Sequence, residues 1–219
     1  MVMIVSVNER NFWEERYQQG TTGWDLGEPA SPFVRFLQSS EAPPPGKTAV
    51  LGCGRGYDAL LFASYGFEVI GFDFADSAIQ DALEYQQLLI NKSSILKGVG
   101  KYLPTSAQFL QQDIFDLPQE FLGQFDYVIE HTCFCAISPD QRPNYVNLVE
   151  SIMKPNGQLF GLFFTHSRAG GPPFGITPAE IRQYFQGKFQ IVSLHPVTES
   201  TPSRQGEEHW GHFMAHQKF

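Results

Sequence analysis

A glycine-rich turn followed by an acidic residue is the feature of this sequence that best suits the binding of a nucleoside. Gly52, Gly54 and Gly56 follow a short β-prone run at residues 48–51. Glycine lets the backbone approach a ligand closely, because no Cβ stands in the way. Asp73 lies 21 positions after Gly52, where a carboxylate can accept hydrogen bonds from both ribose hydroxyls of an adenosine. The spacing predicts an adenosine cofactor; a plain turn and a capping role for Asp73 are the alternatives.

The spacing of the glycines also favours one adenosine cofactor over another. Dinucleotide-binding turns usually read G-x-G-x-x-G and seat a pyrophosphate at a helix N-terminus, whereas here the third glycine comes one residue earlier. Tyr57 and Asp58 then place bulk and negative charge where phosphates need open N–H groups. A carboxylate repels phosphate but tolerates an amino acid and a sulfonium cation. The residues therefore favour S-adenosylmethionine over NAD, with an NAD-linked oxidoreductase and a non-catalytic nucleotide-binding module as alternatives.

Two later segments are consistent with this cofactor. Asp113 can accept a hydrogen bond from the exocyclic amine of an adenine while Ile114 packs on the ring, although a strand-end cap is an equally good interpretation of Asp113. His131 follows Glu130 at the end of the fourth predicted strand, at the rim where cofactor and substrate must meet. His131 could deprotonate a thiol near neutral pH, but we favour a binding role for it.

The elements that position these residues alternate between strands and helices. Strands separated by helices of about 10–15 residues indicate βαβ units and a parallel sheet covered on both faces. We predict one α/β domain, residues 1–219, with a doubly wound (Rossmann-like), seven-stranded, mostly parallel sheet and one antiparallel edge hairpin. Residues 1–45 form an N-terminal lid and residues 46–219 the core. The predicted strands are 48–51, 67–72, 108–110, 125–130, 158–164, 189–194 and 209–216. Helices are predicted over 10–18, 57–65, 76–90 and 143–153, and two further helices are predicted to start at Ser31 and Thr177. We also predict a tight turn at 154–157 and irregular structure over 91–106.

Composition and charge narrow the classes of partner. The 219 residues carry 15 Lys and Arg against 23 Asp and Glu, a net charge of −8, and the only basic excess is Lys92, Lys97 and Lys101. This argues against nucleic-acid and anionic-membrane binding. No apolar run reaches the ~18 residues of a membrane span, and the apolar start lacks a basic region. Three cysteines fit a reducing compartment, so we expect a cytoplasmic monomer that acts on a small molecule.

A metal site is not predicted. His209, His212 and His216 lie close in sequence, but in a strand His209 faces away from the other two and no cysteine follows nearby. We interpret them as residues of a solvated edge strand.

Several longer motifs resemble one family. The chain is similar to the thiopurine S-methyltransferase superfamily, and most similar to its halide/thiol methyltransferase branch, over about residues 12–212. The motifs that carry the resemblance are Trp13-Glu14-Glu15-Arg16-Tyr17, Thr22-Gly23-Trp24-Asp25-Leu26-Gly27, Gly52-Cys53-Gly54-x-Gly56-Tyr57-Asp58-Ala59, Phe134-Cys135-Ala136-Ile137-x-Pro139-x-x-Arg142, Gly170-Gly171-Pro172-Pro173-Phe174 and Arg204-x-Gly206-x-Glu208.

The resemblance implies specific roles around the cofactor. It implies an aromatic wall from the N-terminal side, where aromatic faces attract a sulfonium cation and exclude water. The same aromatic residues can also be one helical face packed on the core. The residues implied or predicted to bind S-adenosylmethionine are Trp13, Tyr17, Trp24, Gly52, Gly54, Asp73, Phe74, Asp113, Ile114 and His131.

The acceptor side of the site has candidate residues of its own. His131, Arg142 and Phe164 are candidate substrate-side residues: Arg142 resembles a family position near the acceptor, although a surface arginine at a helix start is the alternative. Halide/thiol members commonly have Tyr at the position of Phe164 and Asp-Tyr at that of Glu130-His131. Thiolates and halides attack a methyl group as they stand, so positioning and desolvation suffice without a strong base. We expect a thiol, bisulfide, halide, thiocyanate or thiopurine acceptor.

Overall fold

The computed structural model describes residues 6–95 and 107–216, without the side chains of residues 93–95. The strands of this part of the chain are β1 (Lys47–Leu51), β2 (Glu68–Asp73), β3 (Gln108–Gln111), β4 (Phe125–His131), β5 (Met153–Phe164), β6 (Phe189–Pro196) and β7 (Glu208–Ala215). The α-helices are α1 (Arg10–Gln18), α2 (Ser31–Gln38), α3 (Tyr57–Ser64), α4 (Asp76–Ile95), α5 (Leu117–Phe121), α6 (Arg142–Ile152) and α7 (Pro178–Phe185).

The seven strands form one sheet in the order β3-β2-β1-β4-β5-β7-β6. The first five strands of this order pair in parallel, and β7 runs antiparallel between β5 and β6. The predicted seven-stranded, mostly parallel α/β sheet with one antiparallel hairpin is confirmed. The chain leaves β1 toward β2 on one side and later returns to β4 on the other. Ligands of such sheets bind at this reversal, beyond the carboxyl ends of the strands.

Helices cover both faces of the sheet, so its central strands are buried on both sides, as in other parallel sheets. One core cluster contains Phe33 of α2 and Phe62 of α3, and the other contains Tyr145 of α6 and Phe185 of α7. Alternate residues of each central strand point into the two clusters. The helix α1 contributes no buried residue to either core and instead packs against α4.

The helix ends confirm one predicted cap and correct another. Thr177 and Glu180 form the predicted capping box at the start of α7. Ser31 is not the cap of α2, because the helix begins at Ser31 itself and Ala30 occupies the N-cap position. The N–H of Ala30 donates to Asp58 of α3 over 2.9 Å. A contact from a distant helix thus stabilises the start of α2, in place of a local serine cap.

The polar segment after α4 is partly more regular than predicted. The helix continues through residues 91–95, which the sequence predicts to be irregular, and residues 96–106 lie outside the described part of the chain. Lys92 is exposed on this helix, and Lys97 and Lys101 are outside the described residues. Within the ranges that the structure describes, no helix combines the length and apolarity needed to cross a membrane.

The predicted turn before β5 lies inside the strand. Residues 154–157 belong to β5, whose pairing with β4 shifts register between Phe125 and Tyr127. Asn156 has a φ of +62° there, a left-handed conformation that asparagine tolerates better than most residues. Residues 154–157 have no paired residue in β4 or β7, so the predicted turn forms a bulge between the paired parts of β5.

Candidate functional site

A cavity of about 860 Å³ opens at the carboxyl ends of β1, β2 and β4, where the strand order reverses. This volume lies in the range of small-molecule sites. The cavity brings together residues that the sequence places in six separate segments. The predicted site residues that line it are Trp13, Tyr17, Trp24, Gly52, Gly54, Asp73, Phe74, Asp113, Ile114, His131 and Phe164. Of the predicted set, Arg142 is absent from the lining.

The glycine turn forms the floor of the cavity in a conformation that requires glycine. Gly52 and Gly54 have φ values of +60° and +52°, in the left-handed region that other residues rarely adopt. A Cβ on Gly54 would lie 3.2 Å from the hydroxyl oxygen of Tyr17, and one on Gly52 would lie 3.1 Å from the sulfur of Cys133. Side chains of the cavity wall therefore approach the backbone of the turn closely, and a side chain on either glycine would crowd them.

Asp73 is a buried carboxylate that organises the glycine turn. Its Oδ2 accepts a hydrogen bond from the N–H of Gly54 and its Oδ1 accepts one from the N–H of Ala75, both over 2.9 Å. Burial raises the pKa of Asp73 to about 6, although these amide bonds oppose the shift. Each oxygen keeps a second lone pair for a ligand hydroxyl. Asp73 can thus cap the turn and bind a ribose at the same time.

Asp113 also combines a local cap with a position at the cavity. Its Oδ1 accepts a hydrogen bond from the N–H of Phe115 over 3.0 Å, which caps the helical turn Ile114–Asp116. Burial raises the pKa of Asp113 above its ordinary value. The capping interpretation is confirmed, and the second oxygen remains available beside Ile114.

Three aromatic side chains from the N-terminal segment form one wall. The Trp24 ring meets the rings of Trp13 and Tyr17 edge to face, with centroids 5.5 and 5.8 Å away. Trp13 and Tyr17 lie on α1, and Glu14 joins this helix to the start of α4. The carboxylate of Glu14 accepts hydrogen bonds from the hydroxyl of Ser77 over 2.5 Å and from the N–H of Ser77 over 3.1 Å. The aromatic wall is therefore fastened to the sheet domain by a polar contact.

The loop after α1 is fastened a second time at the glycine turn. Arg55 forms ion pairs with Asp25 and with Asp81 of α4; the contact with Asp81 is 2.8 Å long. Arg55 thus joins the loop that carries Trp24 to the glycine turn.

His131 is held at both ring nitrogens. Its Nδ1 lies 2.6 Å from Oδ2 of Asp58, and its Nε2 lies 3.2 Å from a guanidinium nitrogen of Arg204. A guanidinium only donates, so Nε2 accepts and Nδ1 carries the proton that it donates to Asp58. Burial disfavours the charged ring, but Asp58 outweighs burial and raises the pKa of His131. With both nitrogens engaged, His131 is no free general base.

Glu130 lies behind the cavity floor and does not line it. The side chain is fully buried, and its Oε1 accepts a hydrogen bond from the N–H of Phe134 over 2.5 Å. Among the described residues its Oε2 has no partner. Burial raises the pKa of Glu130 to about 7. This carboxyl group supports the turn after β4 and does not contact a ligand.

The part of the cavity lining that comes from segments after β4 is mostly apolar, and we call it the apolar end. Ile137, Phe164, Pro172 and Pro173 line it together with the guanidinium of Arg204. An apolar wall with one fixed cation suits a soft, weakly hydrated anion or a neutral apolar group.

Arg142 supports this apolar wall from behind. It is buried, and its Nη2 donates to the carbonyls of Phe174 and Gly175 over 3.1 Å each. The prediction that Arg142 is a substrate-side residue is therefore wrong in its geometry, because the guanidinium turns toward the backbone of the 170–175 loop. The surface alternative is wrong as well.

The site offers neither a metal centre nor a thiol nucleophile. Over residues 6–95 and 107–216, no three His, Cys, Asp or Glu side chains are close enough together to hold a metal ion. Cys53, Cys133 and Cys135 are free cysteines. Burial raises the pKa of Cys135 to about 12, and that of Cys133 well above its ordinary value, so both thiols stay protonated at neutral pH.

Comparison with known proteins gives a consistent result. The sequence profile of the family described as thiopurine S-methyltransferase (TPMT) matches residues 8–219. The chain is 31% identical to a probable thiol methyltransferase 2 of Arabidopsis thaliana, over 99% of this chain and 90% of that protein. It is 32% identical to thiocyanate methyltransferase 1 of Brassica oleracea, over 93% of this chain and 84% of that protein.

A solved structure shares the fold at low sequence identity. The 1,6-didemethyltoxoflavin-N1-methyltransferase of Burkholderia thailandensis, with bound 1,6-didemethyltoxoflavin and S-adenosylhomocysteine, superimposes with a TM-score of 0.73 at 16% identity. The match covers 99% of this chain and 93% of that one. At this identity the similarity concerns the fold alone.

Proposed function

The chain belongs to the thiopurine S-methyltransferase (TPMT) family, and from this premise we propose that its cavity presents a methyl group to a small, soft nucleophile. The protein is an S-adenosylmethionine-dependent methyltransferase. The observation that carries the proposal is the cavity that joins the glycine turn, Asp73 and the aromatic wall to an apolar end. Neither an NAD-linked oxidoreductase nor a non-catalytic nucleotide-binding module has comparable support.

The residues of the cavity fit the cofactor. The second lone pairs of Asp73 would accept the ribose hydroxyls, and Asp113 with Ile114 would hold the adenine. The aromatic wall of Trp13, Tyr17 and Trp24 would lie near the sulfonium cation, which aromatic faces attract. The remaining residues that we assign to the cofactor are Gly52, Gly54, Phe74 and His131. Bound S-adenosylmethionine supplies an electrophilic methyl group on its sulfonium sulfur.

The apolar end supports an acceptor that is soft and already ionised. Phe164, Pro172 and Pro173 exclude water from the nucleophile, which raises its reactivity. His131 engages both of its nitrogens and so does not take a proton from the acceptor. We therefore propose thiolates, bisulfide, thiocyanate, halides and thiopurines as the acceptor class, with Arg204 supplying the compensating positive charge.

The chain contributes positioning and desolvation to this reaction. The aromatic wall and the apolar end would enclose the reacting groups, and the backbone of the glycine turn would orient the cofactor. Orientation of two reactants in one cavity lowers the barrier by several kcal/mol on its own. Phe164 brings no hydroxyl to the acceptor, so a small anion there would contact a ring and a guanidinium.

The organisation and location of the protein are part of the same proposal. We propose that residues 1–219 act as one domain in which residues 1–45 cover the core of residues 46–219. The free thiols of the three cysteines support a cytoplasmic location. We further propose that the protein works as a monomer on small molecules.

Incubation with S-adenosylmethionine labelled on its methyl group tests the activity. The panel contains bisulfide, thiocyanate, iodide, an aromatic thiol and a thiopurine, with a primary amine and a catechol as acceptors outside the class. Labelled methyl sulfides, methyl thiocyanate or methyl halide are the expected products. Labelled amine or catechol with no product from the soft nucleophiles would contradict the proposal.

Two variants separate the cofactor site from the acceptor site. Asp73→Ala removes the proposed ribose contact and should abolish S-adenosylhomocysteine binding by titration calorimetry while the circular dichroism spectrum stays native. Phe164→Tyr adds a hydroxyl at the acceptor end and should change the ranking of acceptors with little effect on that binding. An unchanged affinity in Asp73→Ala would contradict the ribose assignment.

A further inference from the structure

One buried guanidinium joins several walls of the cavity. Arg204 precedes β7, and only 8% of its side chain is exposed. Its Nη2 donates to the carbonyl of Trp24 over 2.5 Å, and its Nη1 donates to Oε1 of Glu208 and to Nε2 of His131 over 3.2 Å each. Its guanidinium also lies 5.7 Å from the ring centre of Phe164. Arg204 thus contacts the N-terminal segment, the ends of β4 and β5, and the start of β7.

The hydrogen bonds continue beyond Arg204 and return to the N-terminal segment. His131 donates from Nδ1 to Oδ2 of Asp58 over 2.6 Å, and Oδ1 of Asp58 accepts the N–H of Ala30 over 2.9 Å. An unbroken chain therefore runs from the carbonyl of Trp24 through Arg204, His131 and Asp58 to the amide of Ala30. It holds both ends of residues 24–30 across the cavity.

The inference from these hydrogen bonds rests on the methyl transfer proposed above. We propose that Arg204, besides facing the acceptor, is a positioning residue that holds His131 and Trp24 for that reaction. Together with His131 and Asp58 it forms a clamp on Trp24 and Ala30, which we call the 24–30 clamp. The clamp fixes the Trp24 side of the aromatic wall against the apolar end of the cavity. It also fixes His131 as the neutral ring with its proton on Nδ1.

Arg204 is one of several groups that act on the protonation of His131. Burial and Arg204 disfavour a protonated ring, whereas Asp58 of α3 and Glu208 of β7 favour it; α2 contributes the ring of Phe33, with centroids 5.9 Å apart. A doubly protonated ring would place an N–H donor against the donor Nη1 of Arg204. Protonation of His131 therefore breaks the clamp at its middle link.

Nitrogen-15 NMR of the histidine side chains tests this inference without turnover. In the wild type, His131 should show an unprotonated Nε2 and a protonated Nδ1 at pH 7.5; His131→Asn identifies its signals among the six histidines. In Arg204→Gln the pattern should be lost and the titration of His131 should move to higher pH. A wild-type ring protonated on Nε2, or a spectrum unchanged in Arg204→Gln, would overturn the proposal.

Steady-state kinetics with bisulfide supply the functional readout. We expect kcat to fall tenfold or more in Arg204→Gln, because small displacements of orienting groups cost up to about 10²-fold in rate. The Kd of S-adenosylhomocysteine should rise by less than the fall in kcat, and Arg204→Lys should recover part of the rate. An unaltered kcat in both variants would overturn the positioning role.

Two further variants make the result interpretable. Arg204→Gln leaves Glu208 buried without its cation, so the double variant Arg204→Gln/Glu208→Gln is measured as well and should show the same loss of the His131 pattern. Arg168 is the matched control: its guanidinium also lies 5.7 Å from the Phe164 ring, but it is exposed and pairs with Glu207. Arg168→Gln should leave both the NMR pattern and kcat unchanged.

The two proposals can fail separately. Native NMR behaviour with no methylated acceptor would contradict the proposed function and support the clamp. Turnover of bisulfide together with a His131 spectrum that is unchanged in Arg204→Gln would support the proposed function and overturn the clamp.

Discussion

Asp73 makes the binding of the cofactor depend on pH. Burial raises the pKa of this carboxyl group to about 6, and only the ionised form offers all its lone pairs to ribose hydroxyls. We therefore predict that the affinity for S-adenosylhomocysteine falls as the pH is lowered through 6. In Asp73→Asn the affinity should be lower at pH 8, and its fall through pH 6 should be smaller than in the wild type, as measured by titration calorimetry.

Asp116 provides the control for this effect. It is an exposed carboxylate three residues from Asp113 on the same side of the sheet, and Asp116→Asn should retain the wild-type affinity and its pH dependence. If Asp73→Asn kept the same fall in affinity below pH 6, the titrating group would be another residue.

Glu130 makes the stability of the fold depend on pH in the opposite sense to a paired carboxylate. Its pKa is about 7 in the folded protein, against an ordinary value of 4.5, so the unfolded state ionises first as the pH rises. The free energy of unfolding should therefore decrease from pH 4.5 to 7 and level off above. At about 1.4 kcal/mol per pKa unit the loss amounts to a few kcal/mol.

Glu130→Gln should remove this loss, since the amide has no charge to bury. Urea denaturation at a series of pH values should give a difference between variant and wild type that grows between pH 4.5 and 7 and is constant above. Parallel curves for the two proteins would show that Glu130 keeps an ordinary pKa.

At the scale of elements, the polar contact between Glu14 and Ser77 joins α1 to α4. Glu14 accepts two hydrogen bonds from Ser77, and the contact lies near the N-terminus of α4, where a carboxylate is favoured. Ser77→Ala removes the hydroxyl donor. We predict that it weakens S-adenosylhomocysteine binding several-fold, because the aromatic wall loses one of its fastenings, while the melting temperature changes little since α1 buries no core residue.

A double-mutant cycle isolates this contact. Glu14→Gln and Ser77→Ala should be strongly non-additive in binding free energy. Glu15 lies next in the same helix and is exposed, so Glu15→Gln serves as the matched control and should bind normally. Additive effects of Glu14→Gln and Ser77→Ala would mean that the contact does not fasten the wall.

The sequence predicts the half of the site that lies on the sheet. Gly52 and Asp73 each follow a predicted strand, and the carboxyl ends of parallel strands gather at one edge, so their meeting follows from the alternation of elements alone. The caps at Asp113 and Thr177 join residues two or three positions apart, so the sequence predicts them equally well. Aromatic residues of the N-terminal segment could be assigned to the cavity only through the family resemblance, since nothing in their spacing fixes where the segment packs.

The contacts that hold the other half could not be predicted, because they join residues far apart in the chain. Glu14 meets Ser77 at a separation of 63 residues, Asp58 meets His131 at 73, and Arg204 meets Trp24 at 180. The motif that contains Arg204 and Glu208 was visible in the sequence, but the contacts of Arg204 with Trp24 and His131 were not. Arg142 shows the converse: its position near the acceptor end was predicted, but the direction of its guanidinium depends on the carbonyls of a distant loop.

At the scale of the molecule, the sheet supplies a floor, and residues 10–29 form a cover over it. Glu14, Arg55 and the 24–30 clamp fasten this cover through polar contacts, whereas α2, which follows it in the chain, packs Phe33 into the core. A ligand that touches both floor and cover replaces solvent between them. Binding should therefore stabilise the folded protein and order the cover together.

We predict that S-adenosylhomocysteine, at a concentration 100-fold above its Kd, raises the free energy of unfolding by about 2.7 kcal/mol. For a chain of this size each kcal/mol shifts the melting temperature by roughly 2–4 °C, so the melting temperature should rise by about 5–10 °C. NAD at the same concentration should leave the melting temperature unchanged, because the early third glycine and Asp58 leave no room for a pyrophosphate.

Hydrogen exchange should slow at residues 10–30 as well as at the glycine turn when S-adenosylhomocysteine binds, and not when NAD is added. Equal shifts with both ligands, or protection confined to the sheet, would mean that the cavity does not hold S-adenosylhomocysteine selectively between floor and cover.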